Sequence, residues 1–126
     1  MKPIYFDLTV KDLPASRRFL EEALDWKFTP FPMPFDYLRI EAGPAEEPGI
    51  NGGIGALAEV GEVNGGPMIA LTLEVSDIEA MAKKIVACGG RLVGTKIAIP
   101  GIGWYLSFAE PGGLAFGMLE LDEAAH

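Results

Sequence analysis

Tyr5 and Asp7 are the pair in this chain best placed to do chemistry together. They stand two residues apart in the run Ile4 to Val10, whose alternation suits a half-buried strand. That alternation puts Phe6, Leu8 and Val10 on one face and Tyr5, Asp7 and Thr9 on the other. A carboxylate beside a phenol can act as a base with a hydrogen-bond donor, can contact a ligand, or can simply pair with its neighbour in an inert cavity. All three remain open at this point. Other chemically able side chains are few. Cys88, the sole cysteine, falls at the end of an expected helix, and His126, the sole histidine, is the last residue. A thiol nucleophile therefore has no base, and Cys88 reads as a buried structural thiol. A serine–histidine–acid triad would need the terminus to fold back. Gly53-Ile54-Gly55-Ala56-Leu57-Ala58 has the letters of a dinucleotide fingerprint, but it follows a loop and runs into a strand, so the match is chance.

The elements that position the Tyr5–Asp7 pair occur twice. Thr9-Val10-Lys11-Asp12-Leu13 returns 65 residues later as Glu74-Val75-Ser76-Asp77-Ile78, a strand that meets an aspartate and turns into a helix. The same offset carries Phe6 onto Leu71, Leu8 onto Leu73, Leu20 onto Ile85 and Phe28 onto Val93. In the first copy Asp12 is the expected N-cap and Pro14 suits the first turn, followed by an apolar stripe of Ala15, Phe19, Leu20, Ala23 and Leu24. Strands are expected at 26–31, 35–42 and 53–60, with loop chemistry at 43–52 and a linker at 61–67. In the second copy a strand over 68–75 precedes a helix with the stripe Ile78, Met81, Ala82 and Ile85, stopped by Gly89-Gly90. Three more strands follow at 91–99, 103–109 and 114–121. The expected class is α+β, one domain over 1–126 built of two βαβββ units, about 4–60 and 68–121. Each unit carries a helix on one sheet face, and the opposite faces would curve around a shared concave cavity.

Composition narrows the partners. The formal charge is −8, from 18 acidic and 10 basic residues, which disfavours nucleic acid and anionic membrane surfaces. Asp7 interrupts the first apolar run, and nowhere do about 18 apolar residues follow one another. A soluble, cytoplasmic protein is expected. With 126 residues, 49% of them apolar, the chain can bury a core without disulfide or structural metal.

The whole pattern resembles the vicinal oxygen chelate superfamily of glyoxalase I, extradiol dioxygenases, fosfomycin-resistance transferases and bleomycin-resistance proteins. The opening Tyr5-Phe6-Asp7-Leu8-Thr9-Val10-Lys11-Asp12 carries part of the likeness. Pro100-Gly101-Ile102-Gly103-Trp104-Tyr105 and Glu110-Pro111-Gly112-Gly113-Leu114-Ala115-Phe116-Gly117 carry the rest. The second of these looks like the superfamily's closing Asp-Pro-Asp/Glu-Gly-Asn turn and last strand, with Glu110 for the first Asp and Leu114 near the Asn. In metal-dependent members the resemblance implies ligands on the first and last strands of each unit. Those places fall here on Tyr5, Ala70, Gly117 and, by aligning Gly52-Gly53-Ile54 with Gly112-Gly113-Leu114, Leu57. Three of the four side chains cannot bind a metal, and neutral tyrosine is a poor ligand. No metal and no cofactor are expected.

Two functions fit. One is a small-molecule binding protein of the bleomycin-resistance type with a metal-free cavity lined by Tyr5, Asp7, Leu57, Ala70, Thr72, Trp104 and Gly117. Trp104 would be a pocket wall or part of the core. The alternative is a metal-independent lyase or isomerase acting on a small oxygenated metabolite, with Asp7 as base and Tyr5 as donor. A non-catalytic structural subunit is a third possibility. The resemblance also implies a homodimer.

Overall fold

The computed structural model describes residues 1–57 and 66–126. The chain divides into two compact units, one of Tyr5–Ile69 and one of Met1–Ile4 with Ala70–His126. Among the described residues the elements are β1 (Pro3–Val10), α1 (Leu13–Leu24), β2 (Lys27–Pro30), β3 (Tyr37–Glu41), β4 (Asn51–Ala56), β5 (Met68–Glu74), α2 (Ile78–Ala87), β6 (Arg91–Ile99), β7 (Gly103–Ala109) and β8 (Ala115–Leu121). The class is α+β.

In the first unit the strands lie in the order β2-β3-β4-β1. β1 runs parallel to β4, with Asp7 opposite Gly53 and Thr9 opposite Gly55, and β3 is antiparallel to β4, with Arg39 opposite Gly53 and Tyr37 opposite Gly55. Phe6, Leu8 and Val10 pack with Phe28, Ile40 and Ile54 on the helix side, alongside Leu13 and Leu20 of α1. Period-two alternation explains the result: one face of β1 is core, and Tyr5, Asp7 and Thr9 share the other. Asp12 caps α1 by accepting from the Ala15 N–H at 3.0 Å, and Asp25 ends it in the left-handed region.

The stripe expected along α1 is only partly used. Leu20 joins the core, but Phe19 is 65% exposed, Leu24 47%, and Ala15 and Ala23 are also exposed. The last strand of this unit begins at Asn51, inside the expected loop, and ends at Ala56. Leu57 is helical, so it does not lie on a strand face; residues 58–60 of the expected strand and most of the expected linker fall outside the described residues.

In the second unit the order is β5-β8-β7-β6. β5 runs parallel to β8, with Thr72 opposite Gly117. Asp77 caps α2 through the Ala80 N–H at 3.0 Å, and Glu120 accepts the Ile78 N–H at 2.8 Å, so two carboxylates serve the helix start. Ile78, Ala82 and Ile85 are buried with Val75, Leu106, Phe108 and Met118, and Met81 packs against them. Here the expected stripe is fully used. Gly89 takes φ +95, where a side chain would be strained, at the stop after α2. Cys88 caps that helix but is exposed, contrary to the expected buried thiol. It lies on the solvent side of the last turn, three residues beyond Ile85, the last α2 side chain in the core.

Candidate functional site

The face of each sheet turned away from its helix is polar in one unit and mostly small in the other. In the first unit β1 offers Tyr5, Asp7 and Thr9, β4 offers Asn51, Gly53 and Gly55, and β3 offers Tyr37, Arg39 and Glu41. Down the centre, two glycines replace side chains. Tyr37 leans across that gap and its phenol donates to the Asp7 carboxylate. A Cβ added at Gly53 would collide with the Tyr37 ring and hydroxyl, so the glycine is the reason the phenol reaches Asp7. The tyrosine ring is itself supported by Phe31, 5.9 Å away and edge-on, and by Phe35 at 6.3 Å in the same manner. The Phe31 N–H donates to the Tyr37 carbonyl at 3.2 Å, which fastens this proline-rich loop to β3. Tyr5 shares the face with Asp7 and is 40% exposed.

The second unit repeats the crossing with different chemistry. Thr72 lies opposite Gly117, and Tyr105 on β7 leans across that glycine. A Cβ at Gly117 would meet the tyrosine Cζ at 2.7 Å and Cε2 at 2.8 Å, with the hydroxyl closer still. Ala70, Thr72 and Gly117 are buried. Where the first unit has a carboxylate under its tyrosine, this one has a threonine at the corresponding register.

Several expected site residues move. Tyr5 and Asp7 come together on one face, and Ala70, Thr72 and Gly117 on another. Leu57 is not the counterpart of Gly117. Parallel pairing sets Gly53 under Asp7 just as it sets Gly117 under Thr72, so Gly53 is the counterpart, and Leu57 lies beyond the end of the strand. Gly112 and Gly113, on which the alignment to Leu57 rested, belong to a turn built by Glu110, whose carboxylate accepts from the Gly112 and Leu114 N–H groups at 2.7 and 2.8 Å. Those two bonds hold the Glu110 carboxyl below its ordinary pKa, with Leu114 the larger cause.

Trp104 is a second correction. It lies on the helix-covered face of β7 in line with Leu106 and Phe108 and packs against the core there. Its Nε1–H donates to Asp122 at 3.0 Å and Lys96 sits 4.9 Å from the ring centroid. The indole bond lowers the Asp122 pKa, aided by the Ala124 N–H. Tyr105, one residue on, takes the opposite face. Tyr37, Tyr105 and Gly53 were not among the expected site residues, because a tyrosine leaning over a glycine two residues out of register with it is set by strand pairing and leaves no spacing signal in the sequence.

The donor set on these faces is poor for a divalent ion. Neither Gly53 nor Gly117 can present a side-chain ligand, and a longer residue at either position would collide with a tyrosine. Among the described residues no three His, Cys, Asp or Glu side chains gather as a metal site. A separate open groove of about 450 Å³ lies between α2 and β6, lined by Ala82, Val86 and Leu92 with Glu79 and Lys83 at its rim. No helix among the described residues is long and apolar enough to cross a membrane.

No protein-family model and no curated protein matches the chain. Solved structures do. A methylmalonyl-CoA epimerase from Mycobacterium tuberculosis superposes with a TM-score of 0.68 at 17% identity, over 95% of this chain and 87% of that one. A Mn(II)-bound glyoxalase from Novosphingobium aromaticivorans gives 0.61 at 20% identity over 98% of this chain, which spans 40% of the length of that protein. A glyoxalase/bleomycin resistance protein/dioxygenase superfamily member from Vibrio splendidus 12B01 gives 0.59 at 14%, over 92% and 96% of the two chains. Identities this low establish fold alone.

Proposed function

The chain has the vicinal oxygen chelate fold, and we propose that it binds a small organic molecule without a metal, on the face of the first unit that carries Tyr5, Asp7 and Tyr37. The observation that carries this reading is the Tyr37–Asp7 contact across Gly53. A half-buried carboxylate and phenol, held by a glycine gap and flanked by Phe31 and Phe35, combine directional polar groups with aromatic surface, the usual make-up of a small-molecule site. The places where the fold's metal-dependent members would hold their ion carry Tyr5, Ala70, Gly53 and Gly117 in this chain, so its residues do not fit that ion and no step is routed through one.

The same contact favours a second function, a metal-independent lyase or isomerase. Asp7 would act as base, and Tyr37, in place of Tyr5, would be the donor, because Tyr37 is the phenol that reaches the carboxylate. Solvent-proton exchange into a bound carbonyl compound separates the two. Exchange that is lost in Asp7→Asn while binding persists supports the enzyme; binding without exchange supports the binding protein. The test of the site itself is titration of Tyr37→Phe and wild-type protein with planar aromatic compounds. Weakened binding in Tyr37→Phe is expected, and equal affinity in a folded variant rejects this face. The exposed Phe19 and Leu24 of α1 support a homodimer as the working form, which light scattering would test.

A further inference from the structure

We infer that the Asp7 face takes a planar organic cation, a conclusion that rests on the binding site proposed above and adds the class of its ligand. Two kinds of group meet there. Asp7 supplies a half-buried carboxylate, oriented by the Tyr37 phenol. Phe31, Phe35 and Tyr37 form a contiguous aromatic cluster, with the two phenylalanines edge-on to the tyrosine at 5.9 and 6.3 Å. The faces of aromatic rings are negative, so rings and carboxylate favour the same sign of charge in a ligand. All four residues are half-buried, which weakens water's screening of that preference. Pro32 and Pro34 stiffen the loop between the phenylalanines, so the cluster is organised before a ligand arrives.

Among the described residues, other charges on this face bear on how far the preference extends. Lys27 lies opposite Glu41 in the β2–β3 register, and the two offset one another. Arg39 lies in the same row as Gly53 and Asp7, and it is exposed. It opposes a cation, but its hydrated position makes its effect smaller than that of the half-buried groups. The net charge of −8 adds attraction at long range.

The probes are N-methylquinolinium and its neutral counterpart quinoline at neutral pH, titrated calorimetrically into the full chain. Wild type is expected to bind the cation about tenfold more tightly than quinoline. Asp7→Asn retains an acceptor for the Tyr37 phenol and so spares the fold; it is expected to bring the cation's affinity down to that of quinoline measured in the same variant. Arg39→Gln is expected to tighten the cation by about two- to threefold, as removal of an exposed like charge should. Equal affinities in wild type overturn the cationic class but leave the site. A preference for the cation that survives in Asp7→Asn overturns the assignment to Asp7. Failure of both probes to bind wild type rejects the class and the site together. Should Asp7→Asn lose its circular dichroism, the wild-type ratio and the sign of the Arg39→Gln effect still decide the matter.

Discussion

Gly117→Ala should change sign as a mutation when Tyr105 is removed. In the wild type the new methyl would lie 2.7 Å from the Tyr105 Cζ and 2.8 Å from Cε2, against an ordinary carbon contact near 3.5–4.0 Å. The ring must therefore move by roughly 1 Å, and overpacking of this kind costs about 1–3 kcal/mol. At this chain length each kcal/mol lowers Tm by roughly 3–6 °C, so a fall of several degrees is expected. In a Tyr105→Ala background the three atoms nearest the new methyl are gone. Gly117 does not use positive φ, so alanine fits the strand backbone there, and restricting the unfolded chain should then raise stability by about 0.4–1 kcal/mol. Thermal and urea melts of the four proteins close the cycle. If Gly117→Ala melts like wild type, or costs as much without Tyr105 as with it, the tyrosine does not lie across that glycine and the account of both crossings fails.

Tyr37→Phe removes a donor from half-buried Asp7 and should cost about 0.5–1.5 kcal/mol in a urea melt, with near-native circular dichroism. The Glu110 carboxyl is held below its ordinary pKa by the Leu114 and Gly112 N–H groups, and Asp122 by the Trp104 indole and the Ala124 N–H. For a lowered folded pKa the stabilisation is present above the unfolded value and is lost as pH falls through the folded one. Glu110→Gln and Asp122→Asn should therefore melt below wild type at neutral pH and converge with it in strong acid, as followed by Tm against pH. Treatment with a chelator should leave Tm unchanged, and elemental analysis should find no stoichiometric divalent metal, because a metal bound to the native state would raise its stability. Stoichiometric zinc, nickel, iron or manganese would overturn the metal-free site.

Local rules made much of the architecture legible in the sequence. Asp12 and Asp77 cap helices because each follows a strand end and precedes apolar spacing, and both accept from the N–H three residues on. Strand parity placed Tyr5 and Asp7 away from the core correctly, since a two-residue period depends on nothing distant. Trp104 shows where the resemblance outweighed parity: it alternates with Gly103 and Tyr105 and so shares a face with Leu106 and Phe108. Gly53 was missed because the glycines of the Glu110 turn offered a tempting alignment, whereas the pairing that matters is set by parallel register between strands far apart in sequence. The Tyr37–Asp7 contact spans 30 residues, and no spacing rule reaches across a loop of that length. Phe19 and Leu24 of α1 have the right period for a core stripe, but the unit's own core takes only Leu13 and Leu20 from that helix.

The most direct test of the account is amide chemical-shift mapping of the full chain while small planar compounds are titrated in, including N-methylquinolinium. The account predicts a saturable response centred on Asp7, Gly53 and Tyr37 and carried into Phe31 and Phe35, with no requirement for added metal. A response centred instead on the α2–β6 groove at Ala82, Val86 and Leu92, or one that appears only after a divalent metal is added, would contradict it.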